Sequence, residues 1–116
     1  MEGLESLINL ETLDLSNNYY GELNKINGLD NLINIKRLNL SENKIQKVEN
    51  LDKLVNLEYL LLECNDIREL DKNFLYALKN KCHISLVGNP IKELGIDIPQ
   101  NLTIQFEEKN WIPKKL

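Results

Sequence analysis

The chain has 116 residues, of which 42% are hydrophobic and 28% charged, and its formal net charge is −4 at pH 7. This composition predicts one folded domain and excludes an intrinsically disordered chain. Positive and negative residues are interspersed, and the longest basic cluster is Lys114–Lys115, so nucleic acid is not expected as the main partner. No apolar run approaches the roughly 18–20 residues of a membrane span, and no signal peptide is expected ahead of Leu4.

One pattern of leucines followed by an asparagine occurs four times. Its copies are Leu10-x-x-Leu13-x-Leu15-x-x-Asn18, Ile35-x-x-Leu38-x-Leu40-x-x-Asn43, Leu57-x-x-Leu60-x-Leu62-x-x-Asn65 and Lys81-x-x-Ile84-x-Leu86-x-x-Asn89. The last copy departs from the pattern only at its first position. Successive asparagines lie 25, 22 and 24 residues apart. A repeat of this length predicts a solenoid in which each copy adds one coil.

The pattern resembles that of the leucine-rich repeat family, and the resemblance covers about residues 4–94. The 22-residue unit between Asn43 and Asn65 is similar to the repeat class of the regulatory subunit of type-1 protein phosphatase. The resemblance implies an α/β solenoid, a right-handed coil with a short parallel β-sheet on its concave face and mostly 3₁₀ or irregular segments on its convex side. We predict four repeats over residues 1–94 and a C-terminal cap over residues 95–116.

The residue types within each copy predict where the side chains point. Side chains alternate along a strand, so Leu13 and Leu15 are expected in the core and Thr12 and Asp14 on the concave face. The asparagine follows the strand, where its amide can both donate to and accept from backbone groups that the bend leaves unpaired. We therefore predict an internal, structural ladder of Asn18, Asn43, Asn65 and Asn89.

The segments that connect the strands have apolar residues at every third position, as in Leu51-x-x-Leu54-x-x-Leu57. This period favours 3₁₀ or extended turns over an α-helix. Residues 73–80 are an exception, since they predict two helical turns. The four repeat strands are expected to be the only sheet of consequence, with one further strand at 102–106 and Trp111-Ile112-Pro113 folded over the last coil.

The N-terminal end of the predicted coil has little to cover it, because Leu4, Leu7 and Leu10 already belong to the first repeat. A solenoid must shield its terminal coils from water. Either residues 1–7 cover this end poorly, or a second copy in a homodimer, another partner or further residues complete it.

The candidate reactive residues predict no catalytic or metal site. His83 is the only histidine, and its neighbour Cys82 points to the opposite face of a strand, so the two cannot act as a thiol–imidazole pair. Cys64 and Cys82 are separated by about six residues of rise, roughly 20 Å, which excludes a disulfide. We predict two free thiols, no metal, no cofactor and no enzymatic activity.

The outward positions of the strands form the predicted binding surface for another protein. An apolar and aromatic patch is expected on the third and fourth repeats, with Arg37 and Glu63 at its edges. Leu61 interrupts an otherwise polar column, either as an anchor for the partner or as a side chain that lies against Tyr59 or Tyr19 and only covers surface. The predicted partner-binding residues are Arg37, Asn39, Tyr59, Leu61, Glu63, His83, Ser85 and Val87.

These observations predict a non-enzymatic protein–protein interaction module in the cytoplasm or the nucleus. It would act as a scaffold or a regulatory subunit, for example of a phosphatase or a cytoskeletal assembly. The alternative is a secreted or effector-type leucine-rich repeat protein by which a pathogen recognises its target. Neither hypothesis names the partner, because recognition depends on surface residues and not on the fold.

Overall fold

The computed structural model describes residues 7–18, 25–91, 93–94 and 97–107. Five strands form one parallel sheet in the order β1-β2-β4-β6-β7, and β3 pairs with β5 in a second sheet. The predicted solenoid is thereby confirmed. In chain order the elements are β1 (Thr12–Asp14), β2 (Arg37–Asn39), β3 (Lys47–Val48), β4 (Tyr59–Leu61), β5 (Glu69–Leu70), α1 (Lys72–Ala77), β6 (Cys82–Ser85) and β7 (Leu102–Gln105).

Each strand of the large sheet aligns with the next in the register that the repeat predicts. Thr12 lies opposite Arg37, and Arg37 lies opposite Tyr59. The same row continues to His83 and then to Thr103 on β7. A shift of one residue would turn every leucine out of the core, so the leucine pattern fixes this register. Strand β7 is the additional strand expected at 102–106.

The inward side chains of successive coils form one continuous core. In the second and third coils the motif leucines Leu38, Leu40, Leu60 and Leu62 are at most 1% exposed. Full burial of one such side chain contributes roughly 1.5–3 kcal/mol relative to leaving it in water. Each coil buries these leucines only against its neighbours, so the fold depends on stacking.

The connecting segments make isolated turns of the 3₁₀ type, as their three-residue period predicts. The N–H of Leu32 donates to the carbonyl of Leu29 at 3.0 Å, and the N–H of Leu54 donates to that of Leu51 at 2.9 Å. Helix α1 begins after Asp71, whose carboxylate accepts a hydrogen bond from the N–H of Asn73 at 3.0 Å. Five of its six residues lie in the region 73–80, where two helical turns were predicted.

The second sheet was missed by the sequence analysis, which expected a single sheet of consequence. Strands β3 and β5 each have two residues, with Lys47 opposite Glu69 and Val48 opposite Leu70. Val48 is fully buried. The Lys47 and Glu69 side chains form an exposed ion pair at 3.7 Å, a type of contact that stabilises a fold little.

A left-handed backbone conformation recurs directly before each ladder asparagine. Asn17, Glu42, Cys64 and Gly88 have φ values of 61°, 57°, 57° and 81°. The chain therefore leaves every strand through the same bend. Only one of the four residues is glycine, although this conformation costs a residue with a Cβ atom roughly 1–2 kcal/mol.

The two ends of the described solenoid differ in burial. In the first coil Leu13 and Leu15 are only partly buried, whereas their equivalents Leu38 and Leu40 are at most 1% exposed. The residues expected to need a second copy or a cap include Met1–Ser6, which lie outside the described residues. At the other end β7 covers β6, and the predicted lid at Trp111–Pro113 also lies outside the described residues.

Candidate functional site on the concave sheet

The ladder asparagines satisfy backbone groups inside the bend. The Nδ2 of Asn65 donates to the carbonyls of Leu40 at 2.9 Å and Leu62 at 3.1 Å, and its Oδ1 accepts from the N–H groups of Asn43 and Ile45, both at 3.1 Å. Asn43 and Asn89 each donate likewise to a carbonyl of their own coil and to one of the preceding coil. These amides are therefore engaged within the fold, and they offer little to a partner.

A second hydrogen bond recurs at the centre of the concave strands. The Oδ1 of Asp14 accepts from the N–H of Ser16 at 2.9 Å, and the Oδ1 of Asn39 accepts from that of Ser41 at 3.0 Å. The side chain and the backbone of Ser16 together hold the pKa of Asp14 below its ordinary value. A short polar residue at this position thus supports the chain where it leaves the strand.

Leu61 occupies the same position in the third coil and has no oxygen to accept this bond. The N–H of Glu63 donates instead to the hydroxyl of Ser41 in the preceding coil, at 3.0 Å. The carboxylate of Glu63 in turn accepts from the hydroxyl of Ser85 at 2.6 Å. Ser85 is only 1% exposed, so its prediction as an accessible contact residue is wrong. Glu63 folds back to bond with it.

Three side chains form a row across β2, β4 and β6. The guanidinium carbon of Arg37 lies 5.3 Å from the centre of the Tyr59 ring, within the range of a cation–π interaction. On the other side, the rings of Tyr59 and His83 are 6.3 Å apart between centroids and tilted by 38°. Tyr59 remains 45% exposed at the middle of the row. It is held in place from two sides and still offers its ring to a partner.

A depression of about 350 Å³ lies beside this row, on the first three concave strands. Four predicted site residues border it: Arg37, Asn39, Tyr59 and Leu61. Glu63, His83, Ser85 and Val87 lie outside it. The depression therefore spans the first three repeats, whereas the apolar patch was predicted on the third and fourth. Thr12, Leu13, Asp14 and Leu38 complete the lining.

The comparison with family models agrees with this geometry. The model described as Leucine rich repeat matches residues 8–67. The chain belongs to the leucine-rich repeat family. Domains of this family generally mediate protein–protein interaction and are typically not enzymes. No curated protein matches the chain.

A polar recess of about 650 Å³ lies at the starts of β4, β6 and β7 in this leucine-rich repeat chain. Cys82 belongs to its lining, but the residue is 2% exposed. Burial, with a smaller contribution from Glu58, raises the pKa of the Cys82 thiol to about 12. The thiol therefore stays protonated at neutral pH and is a poor nucleophile. Cys64 is also free, and it is exposed.

The part of the chain that the structure describes has neither a cluster of metal-ligating side chains nor a membrane-spanning helix. Residues 7–18, 25–91, 93–94 and 97–107 contain no group of three or more His, Cys, Asp or Glu side chains that could hold a metal ion. The same residues contain no helix that is long and apolar enough to cross a membrane.

A second series of asparagines, which the sequence analysis missed, joins the coils of the leucine-rich repeat chain where the concave strands begin. The sequence does contain this pattern, because an asparagine directly precedes the first position of each repeat motif: Asn9, Asn34, Asn56 and Asn80. Each bonded member donates from Nδ2 to a carbonyl of the preceding coil: Asn34 to Ile8 at 2.9 Å, Asn56 to Ile33 at 3.0 Å, Asn80 to Asn56 at 3.0 Å and Asn101 to Leu78 at 3.1 Å.

Proposed function

We propose that this leucine-rich repeat chain is a non-enzymatic module that binds a partner protein on its concave sheet, with Tyr59 and Leu61 at the centre of the contact. The observation that carries the proposal is the depression that these two side chains border, together with the 45% exposure of Tyr59. Aromatic side chains held in a rigid surface dominate the binding energy of many interfaces. Tyr59 is aromatic, and Arg37 and His83 flank its ring and hold it in place.

The family to which the chain belongs supports a binding role over a catalytic one. The His83 ring lies beside that of Tyr59, and its sequence neighbour Cys82 is buried and protonated at neutral pH. A nucleophile needs an accessible, activated group with a base within hydrogen-bond reach. The Cys82 thiol is neither accessible nor activated.

The proposal includes a scaffold or regulatory-subunit role, for example toward a phosphatase or a cytoskeletal assembly. The 22-residue interval between Asn43 and Asn65 supports it, because that interval is similar to the phosphatase-regulator repeat class. The proposed repeats cover residues 1–94 and the proposed cap covers residues 95–116, and the pairing of β7 with β6 supports the capping role. The exposed free thiol of Cys64 supports a cytoplasmic or nuclear setting, where thiols stay reduced.

The test is capture of partners from a lysate of the source cells with three baits. The native chain is compared with the double variant Tyr59→Ala/Leu61→Asn and with Ile33→Ser. Asparagine at position 61 can accept a hydrogen bond of the kind that Asn39 accepts from Ser41, so the fold is expected to survive the change. Ile33 is a matched control, because it is 50% exposed and lies on a connecting segment away from the concave sheet.

All three baits must first give the same circular dichroism spectrum and melting temperature. We expect a protein that the native chain and Ile33→Ser retain and that the double variant loses. Equal retention by the double variant would move the binding surface away from Tyr59 and Leu61.

A further inference from the structure

We propose that the concave depression binds a peptide segment in which an aliphatic or aromatic side chain lies next to a single carboxylate. The apolar side chain packs between Tyr59 and Leu61, and the carboxylate accepts hydrogen bonds from Arg37. This inference rests on the proposed function, since it specifies the chemistry of the partner that the same surface takes.

The apolar half of this chemistry follows from Leu61. Its side chain is not part of the core, and Asp14 and Asn39 at the equivalent position each accept a local hydrogen bond. Leucine forgoes that bond, and Ser41 supplies the missing acceptor from the neighbouring coil. The hydrogen bonding of the fold therefore gives no reason for an apolar residue at position 61. An apolar partner side chain, seated against Leu61 and the exposed ring of Tyr59, would gain from it.

The carboxylate follows from the hydrogen-bonding groups around the depression. Three acceptors on this surface are each already used once within the fold: Asp14 accepts from Ser16, Asn39 accepts from Ser41, and Glu63 accepts from Ser85. The donors are not. Among the described residues, neither the guanidinium of Arg37 nor the Nδ2 of Asn39 donates to a protein acceptor. A partner that forms hydrogen bonds with these two donors must therefore bring oxygen acceptors.

Arg37 selects a carboxylate over a neutral acceptor. Its contact with Tyr59 positions the charge but supplies no hydrogen-bond acceptor. The guanidinium can then bind both oxygens of a carboxylate at once, a geometry that neutral amides cannot match. A strongly acidic segment is disfavoured, because the chain has a net charge of −4 and would repel it. The fitting partner carries one carboxylate beside its apolar anchor.

The test is selection from a display library of short random peptides against the native chain, Arg37→Gln, Lys36→Gln and Tyr59→Ala/Leu61→Asn. Lys36→Gln is the matched control, because it removes an equal charge one residue away and only an exposed contact to Glu11 at 3.9 Å. Two peptides are then synthesised, the best binder of the native chain and its analogue with glutamine for the acidic residue. Their affinities are measured by fluorescence polarisation.

We expect the native chain and Lys36→Gln to select peptides with an apolar residue beside one Asp or Glu. The glutamine analogue should bind the native chain about five- to tenfold more weakly. Both peptides should bind Arg37→Gln equally, and neither should bind the double variant.

Two results would overturn the inference. One is a set of selected peptides without an acidic residue, or an acidic preference that survives Arg37→Gln. If the double variant still loses them, the proposed function stands and only the carboxylate is wrong. The other is the absence of any peptide that distinguishes the native chain from the double variant, which rejects a peptide ligand. The lysate capture then decides the proposed function independently.

Discussion

The hydroxyl of Ser41 accepts a hydrogen bond from the backbone N–H of Glu63, at 3.0 Å, across two adjacent coils. In the first two coils the corresponding N–H is bonded by Asp14 or Asn39 of its own coil. Leu61 cannot make that bond, so Ser41 compensates for it. This relationship explains how the concave sheet tolerates an apolar residue in a polar column.

The compensation predicts a specific interaction between positions 41 and 61. Ser41→Ala should lower the free energy of unfolding by about 1 kcal/mol, because the N–H of Glu63 loses its acceptor. Leu61→Asn in the same chain should restore most of that loss, since asparagine at 61 can accept the bond as Asn39 does. The measurement is urea unfolding of the native chain, both single variants and the double variant.

The double-mutant cycle separates this explanation from a general effect of the substitutions. Ser16→Ala serves as the control, because Ser16 holds the position in the first coil that is equivalent to Ser41. The N–H of Ser41, which is equivalent to that of Glu63, donates to Asn39 and not to the hydroxyl of Ser16. If Leu61→Asn fails to rescue Ser41→Ala and the two losses add, Ser41 does not replace the acceptor that Leu61 lacks.

The strands and the core could be predicted because one physical requirement determines both. A coil can bury Leu38 and Leu60 together only when their strands align, so the repeat fixes the register directly. The ladder position of Asn65 follows from the same alignment. None of these features depends on the identity of the side chains on the concave face.

The arrangement of the binding surface could not be predicted from the repeat, because it depends on which polar side chains bond to each other. Ser85 falls in an outward column, but it donates to Glu63 and is only 1% exposed. Arg37 turns toward Tyr59, where it borders a depression on the first three strands. These arrangements depend on side-chain rotamers and hydrogen-bond partners, about which the pattern of leucines contains no information.

Removal of a ladder amide should lower the free energy of unfolding more in the middle of the solenoid than at its first coil. Asn65→Ala would leave the carbonyls of Leu40 and Leu62 and the N–H groups of Asn43 and Ile45 without these bonds. We expect a loss of roughly 3–5 kcal/mol in the free energy of unfolding, or failure to fold.

Asn18→Ala is the matched comparison, because Asn18 is half-buried and its Nδ2 donates within its own coil, to the carbonyls of Leu15 at 2.6 Å and Ser16 at 3.4 Å. Its loss should be about 1–2 kcal/mol. Chemical unfolding of both variants measures the difference, and equal losses would contradict a ladder whose strength comes from bonds between coils.

The left-handed bend before each ladder asparagine predicts opposite effects at two equivalent positions. Gly88→Ala should destabilise the fold by about 1–2 kcal/mol, because φ is 81° and the added Cβ would lie 3.0 Å from the Sγ of Cys64. Glu42→Gly should stabilise it by up to about 1 kcal/mol, since glycine adopts this conformation without strain. Thermal unfolding compares the two, and a Glu42→Gly variant less stable than the native chain would show that the Glu42 side chain contributes more than the strain costs.

The two cysteines should react very differently with an alkylating reagent. Cys64 is exposed, whereas Cys82 is 2% exposed with its pKa raised to about 12. Mass spectrometry of the native chain treated with iodoacetamide near neutral pH should find one modified thiol, at Cys64, and two after denaturation. Modification of Cys82 at a comparable rate in the native chain would contradict its burial.

The raised pKa of Cys82 also predicts the sign of a pH effect on stability. The ordinary pKa of 9.0 applies to the unfolded chain, and the folded chain holds the proton to about pH 12. The stabilisation is therefore complete below pH 9 and is lost as the pH rises toward 12, by at most about 1.4 kcal/mol per pH unit. Tyrosines and lysines titrate in the same range, so the informative quantity is the difference from Cys82→Ala. Urea unfolding between pH 8 and 11 should show a steeper decline for the native chain, and parallel declines would mean that the folded and unfolded thiols titrate alike.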